Sequence, residues 1–255
     1  MFLPLIEFAD LPNKLKDDAI VEALVELRFE TADIPELTVG RLADHSLWAD
    51  FSRSRTPIAD LPAALRQSDV NLKHQATLEL KEPDGLRLVK IGTNAVSLHN
   101  ISRYIGWTQG FSREIHSMVN LVLDQRKDAT LTRIGLRYIN ALTPSKHLIN
   151  SIYNLNIQVQ VAQEEPLDDM NINYRRTFDD FLVLTRIATP RFVQGKLPSD
   201  TSAYVDIDVY TPPDFQCRSD QVASDWIEQA HILEKRSFFT LLPPDILQQL
   251  RVDNA

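Results

Sequence analysis

Hydrophobic and polar residues alternate along much of this chain with a period of two, and two stretches switch to the helical period. From Ile20 the segment IVEALVELRFE places Val21, Ala23, Val25, Leu27 and Phe29 on one side, with Glu22, Glu26 and Arg28 on the other. Period two over this length predicts a half-buried strand. Ala, Leu and Glu would also suit a helix; the β-branched spacing and Phe29 decide for strand. LKHQATLEL repeats the alternation, with Leu72, His74, Ala76, Leu78 and Leu80 on one face. The following EPDG (Glu82–Gly85) has Pro second and Gly fourth, as a type I turn prefers. LRLVKIG is then its hairpin partner, and Ala95–Leu98 a third strand.

Pro35, Pro57 and Pro62 punctuate residues 31–69, where short helices are expected near Glu36–Ala43 and Ala59–Gln67. From Trp107 to Leu123 the period changes. Phe111, Ile115, Met118, Val119, Val122 and Leu123 form a helical apolar stripe. The second half then follows the same plan. RIGLRYIN (Arg133–Asn140) leads, Asn156–Val161 alternates, and Asn173–Phe178 with Phe181–Ile187 forms a hairpin across Asp179-Asp180. AYVDIDVY (Ala203–Tyr210) alternates again, and a helix runs from about Val222 to Leu241 with Val222, Trp226, Ala230, Leu233, Ser237 and Phe238 inward. Lead strand, antiparallel meander and closing helix, written twice, predict an α+β fold made by duplication. Residues 1–130 are the first repeat and 131–255 the second. The short charged junction QRKDAT suggests that they pack as one continuous body.

With 255 residues the chain can bury a sizeable core, and 44% hydrophobic with 24% charged residues is ordinary for a globular protein. A net charge of -8 argues against nucleic acid, whose binding rests on neutralising phosphates. The single cysteine, Cys217, excludes an internal disulfide framework and fits a reducing compartment. The N-terminal MFLPLIEFADLP lacks a basic start and is broken by Pro4 and Glu7, so it does not read as a signal peptide. No stretch approaches the ~20 apolar residues of a membrane helix. The expected location is the cytoplasm, with no membrane contact.

The search for chemistry is largely negative. Gly92, Gly106 and Gly110 are too scattered for a phosphate-cradling loop, no G-x-S-x-G is present, and no two of the six histidines share metal-ligand spacing. No catalytic set, metal or cofactor is expected. Two features stand out. Asp206 and Asp208 lie on one face of AYVDIDVY, flanked by Tyr204 and Tyr210. Arg133 and Arg137 share a face of RIGLRYIN, with Gly135 between them leaving room for their stems. Paired carboxylates suit a cation or acid-base work. Planar Arg–Asp pairs across strands would instead brace the sheet. Arg133, Arg137, Tyr204, Asp206 and Asp208 are therefore the candidate binding residues, as braces or as holders of an anionic ligand. A further basic set, Arg175, Arg176, Arg186 and Arg191, faces the acidic run EEPLDD (Glu164–Asp169) in sequence.

At RIGLRYIN the chain resembles a sporadically distributed bacterial family of uncharacterised function. AIVEALVELRF, the residues Tyr104, Gly106, Trp107 and Phe111, and HILEKRSFFTLL extend the resemblance along most of the chain. It implies a place among mobile or defence-linked genes. The meander closed by a helix is also similar to SecB-like chaperone domains. The expected function is a non-enzymatic protein-interaction module with a protein partner, a homodimer also being compatible. The alternative is a ligand-sensing or catalytic pocket between sheet and helix.

Overall fold

The computed structural model describes residues 11–12, 14–101, 104, 106–124, 129–159 and 169–252. Among them nine strands form one sheet: β1 (Ile20–Glu30), β2 (Ser52–Arg55), β3 (Leu78–Lys81), β4 (Arg87–Ile91), β5 (Ala95–Ile101), β6 (Thr130–Leu142), β7 (Asn171–Phe178), β8 (Phe181–Ala188) and β9 (Ala203–Tyr210). Six α-helices accompany them: α1 (Pro35–Ala43), α2 (Ala63–Ser68), α3 (Ser112–Asp124), α4 (Pro144–His147), α5 (Asp220–Phe239) and α6 (Pro244–Leu250). The mixture is α+β. The strand order is β2-β3-β4-β5-β1-β6-β9-β8-β7, and the described registers are all antiparallel. In that order β5, the last strand of the first run, returns to β1, and β9, the last of the second run, returns to β6. No helix among the described residues is long and apolar enough to cross a membrane.

The chain divides into two compact units. One holds residues 22–136 and 210–230, the other 1–21, 137–209 and 231–255. In the first, β1 shows why the ambiguous IVEALVELRFE settles as strand. Ala23, Val25, Leu27 and Phe29 are fully buried, while Glu22, Leu24, Glu26 and Arg28 are half-buried on the opposite face. A helix would scatter those four apolar residues around its circumference. Phe111, Ile115, Met118, Val119 and Val122 are likewise buried along α3 and the π-helical turn before it. Trp107 is only half-buried, because its indole N–H donates to the exposed-side carboxylate of Glu228 at 2.8 Å. In the other unit β7 and β8 pair over their whole length across Asp179, which adopts a left-handed φ of 44°.

Several expectations shift. The alternation of LKHQATLEL does not make one strand: β3 begins at Leu78, and Val70–His74 form turns. Asp69 explains the change, since its carbonyl accepts the Lys73 N–H at 2.9 Å and its side chain the Asn71 N–H at 2.7 Å. A Cβ at Gly92 would sit 2.6 Å from the Gln75 carbonyl oxygen, so only glycine lets that turn lie against the end of β4. Asn156–Val159 are not strand either. Asn156 is tied by its N–H and its side-chain amide to the Leu241 and Thr240 carbonyls beyond α5; Gln160 and Val161 lie outside the described residues, as do Gln125–Asp128 of the junction and Glu164–Asp168 of the acidic run. The polar strand β2 and the helix α6 carry no apolar alternation long enough to announce them.

The inner stripe of α5 is rotated from the expected one. Val222 is 54% exposed, and Ala223, Trp226, Ile227, Ala230, Phe238 and Phe239 are the buried apolar positions. Glu234 falls on the same stripe, 5% exposed. Burial pushes its carboxyl up to about 8, the charge of Asp18 adding to the effect and Lys235 opposing it. A folded-state pKa above the unfolded value near 4.5 means that folding holds a proton which the unfolded chain releases. Stability from this group is therefore complete below pH 4.5 and declines as pH rises towards 8. Glu234→Gln, which needs no proton, should match the parent in Tm near pH 4.5 and exceed it increasingly up to pH 8. A pH-independent difference in thermal melts would show that Glu234 ionises freely in the fold.

Candidate functional site

In the unit containing residues 137–209, Arg137 meets Asp206, one of the two aspartates on AYVDIDVY. β6 directs Tyr138 to the apolar side, where it is buried with its hydroxyl 3.5 Å from His231 Nδ1. The strand's alternation sends Arg137 to the other side. Its Nε donates to Asp206 Oδ1 at 2.7 Å and a terminal nitrogen to Oδ2 at 2.6 Å, a bidentate pair. Asp206 is 6% exposed and accepts a third bond from the Tyr204 hydroxyl at 3.1 Å. These bonds hold the guanidinium pKa well above its ordinary value, and the charge of half-buried Asp208 adds to that. Desolvation and the neighbouring carboxylate push the Tyr204 phenol up to about 12. Arg186 on β8 lies over the Tyr204 ring, 5.5 Å from its centre, and donates to Asn171 Oδ1 at 3.0 Å. Arg191 pairs with Asp169, the one described member of EEPLDD.

In the unit containing residues 22–136, Arg133 donates to Glu26 Oε1 at 2.7 Å, and Arg28 bonds the same oxygen at 2.7 Å. Arg133 also covers the Tyr210 ring at 4.9 Å. The space over Gly135 is filled as its size allows: a Cβ there would lie 2.6 Å from a terminal nitrogen of Arg133. Each of the five candidate residues is half-buried or buried. The brace geometry exists for Arg137 with Asp206. Arg133 adds a partner, Glu26, that local sequence does not suggest.

A second polar constellation escaped sequence reasoning. Ser97 Oγ lies 2.9 Å from His99 Nε2, and His99 Nδ1 lies 2.7 Å from Glu22 Oε1. The signal was Ser-x-His at a two-residue spacing on a strand paired with Glu22's strand. This wiring is that of a nucleophilic relay. Its surroundings are not. β5 is paired on both sides, by β1 and β4, so the backbone N–H groups around Ser97 serve the ladder and not an oxyanion. Two cavities of about 270 and 260 Å³ are lined chiefly from α1, α2 and the β3 approach, including Arg55, Arg66 and Thr93, and neither includes a residue of either constellation. No group of three metal-ligating side chains occurs among the described residues.

Comparison of the chain with protein-family models and with curated proteins gave no match to either. The arrangement of the side chains is therefore what bears on function.

Arg137→Ala leaves Asp206 with its charge buried against Tyr204 alone. Breaking a buried pair costs about 3–5 kcal/mol, but the Arg137 side chain is 39% exposed and solvent screens part of the loss, so about 2 kcal/mol is expected. Asp206→Asn in the same chain should recover about half, giving positive coupling in a urea-denaturation double-mutant cycle. Zero coupling with a stable single variant would assign Arg137 to binding and not to bracing.

Proposed function

We propose that this protein is a non-enzymatic protein-interaction module, a sheet scaffold that holds surfaces for a protein partner. The observation that carries the reading is the mutual engagement of the polar residues a ligand pocket would need. Arg137 is bidentate on Asp206, Tyr204 donates a third bond to the same carboxylate, and Arg133 is bonded to Glu26. A residue whose hydrogen-bonding capacity is used internally is poorly placed to hold a small molecule. The negative net charge supports protein over nucleic acid as partner. The resemblance at RIGLRYIN supports reading the module as part of a bacterial defence or toxin-control system, and the likeness to SecB-like domains a chaperone-like way of working in the cytoplasm. We read the architecture as a duplicated unit. Supporting this, each run of strands ends by returning to its own lead strand, and a helix, α3 or α5, follows each run.

Affinity purification of the full chain from its source organism, followed by native mass spectrometry, tests the proposal. A protein retained at fixed stoichiometry, with no bound metabolite, is the expected result. Recovery of the chain alone with a small molecule bound, lost on Arg137→Ala, would overturn it in favour of a ligand pocket.

A further inference from the structure

The two edges of the sheet differ in a way that bears on what the module binds. β2, at one edge, has four residues, and both its arginines are answered locally: Arg53 by Asp44 at 3.3 Å and Arg55 by Asp60 at 3.1 Å. β7, at the other edge, has eight residues in continuous register with β8, and no described strand lies beyond it. In an antiparallel pair every second residue of an edge strand turns its N–H and C=O away from its partner. Among the described residues β7 therefore presents a run of backbone donors and acceptors to an incoming strand. Arg175 and Arg176, in the middle of this run, are exposed, and neither makes an ion pair among the described residues; Arg176 rests on the Tyr174 ring at 5.3 Å. Two guanidiniums without an ion pair among the described residues are, on a protein of net charge -8, a local exception to its surface.

Resting on the interaction-module reading, we propose that β7 is the docking edge and that its occupant is an extended segment of a partner protein carrying two consecutive acidic residues. Strand geometry sets the requirement. Arg175 and Arg176 are adjacent, so they project to opposite faces of the sheet. An added strand meets both only if two neighbouring residues of its own, one per face, carry carboxylates. Backbone pairing supplies affinity, and the acidic pair supplies register. A second copy of β7 does not fit this role, because antiparallel pairing centred here would set the arginines of both chains against each other. Ile172, Tyr174 and exposed Phe178 give the incoming strand apolar neighbours on the Arg176 side.

The test uses the full chain and a labelled peptide, Thr-Val-Thr-Val-Glu-Glu-Val-Thr-Val-Thr, with a version in which the acidic pair is replaced by two lysines. The expected result is binding of the acidic peptide, with slowed hydrogen exchange in Asn171–Phe178 and none in Ser52–Arg55. The lysine peptide should bind about tenfold more weakly, and Arg175→Glu with Arg176→Glu should invert the preference. Equal binding of the two peptides, protection elsewhere, or no binding at all would overturn the proposal. Self-association of the double-glutamate variant without peptide binding would do so too, marking the arginines as guards against edge pairing. If purification recovers a partner that the double variant still binds, the edge assignment fails while the interaction reading stands.

Discussion

A carboxylate placed inside a sheet must be met by donors on its own face, because an ionised group left without them costs several kcal/mol. Asp206 imposes that constraint on its surroundings. Its two oxygens take three bonds, from Arg137 twice and from Tyr204. This fixes which face of β6 carries charge, and with it that Ile134, Leu136 and Tyr138 turn to the apolar side, where each is essentially fully buried. The pair does not itself provide most of the stability, since desolving two charges offsets much of their attraction. It specifies register. A slip of β6 by one residue would bury Arg137 among apolar side chains and leave Asp206 unmet.

The polar side of the sheet carries a series of short side-chain networks. Glu26 takes both Arg28 and Arg133; His99 bridges Ser97 and Glu22; Arg186 links Tyr204 to Asn171. Aromatic rings under the guanidiniums of Arg133 and Arg186 let these long side chains lie flat. Each network places charge on a sheet surface without leaving it solvated at full length. Glu234 is the contrast. It stands on the apolar stripe of α5, where burial outweighs the charge of Lys235 and holds its carboxyl pKa up.

Much of this was legible in the chain and some was not, for physical reasons. Alternation in IVEALVELRFE and AYVDIDVY reported true strand faces, because both strands have one apolar face packed and one polar face half-covered. Charge and period brought Arg137 to Asp206 or Asp208 as one alternative, and the structure shows it on Asp206. They did not reach Arg133's partner, since Glu26 is 107 positions away in sequence and joins it only through the sheet order. LKHQATLEL failed as a single strand because Asp69 captured the backbone locally, a competition that hydrophobic periodicity cannot register. β2 was silent because a polar edge strand has no buried face to write into the sequence. The α5 stripe was displaced because Val222 and Ala223 are equally acceptable apolar residues to a period count, and packing chose the smaller.

The return of each final strand to its lead strand has a consequence for the nascent chain. β1 finds β5 only when residues 95–101 have been made, with Arg28 aligned to Ala95 and Glu22 to Ile101. Until then the ribosome has released a strand whose four apolar side chains, Ala23, Val25, Leu27 and Phe29, have no lateral support from that side. The same wait recurs for β6, whose neighbour β9 begins at Ala203. Emergence from the exit tunnel thus proceeds as two delayed closures, each joining segments far apart in sequence and each entropically slow. The time between a lead strand's synthesis and its closure is when this chain is most open to misassembly or to rescue by a holding factor.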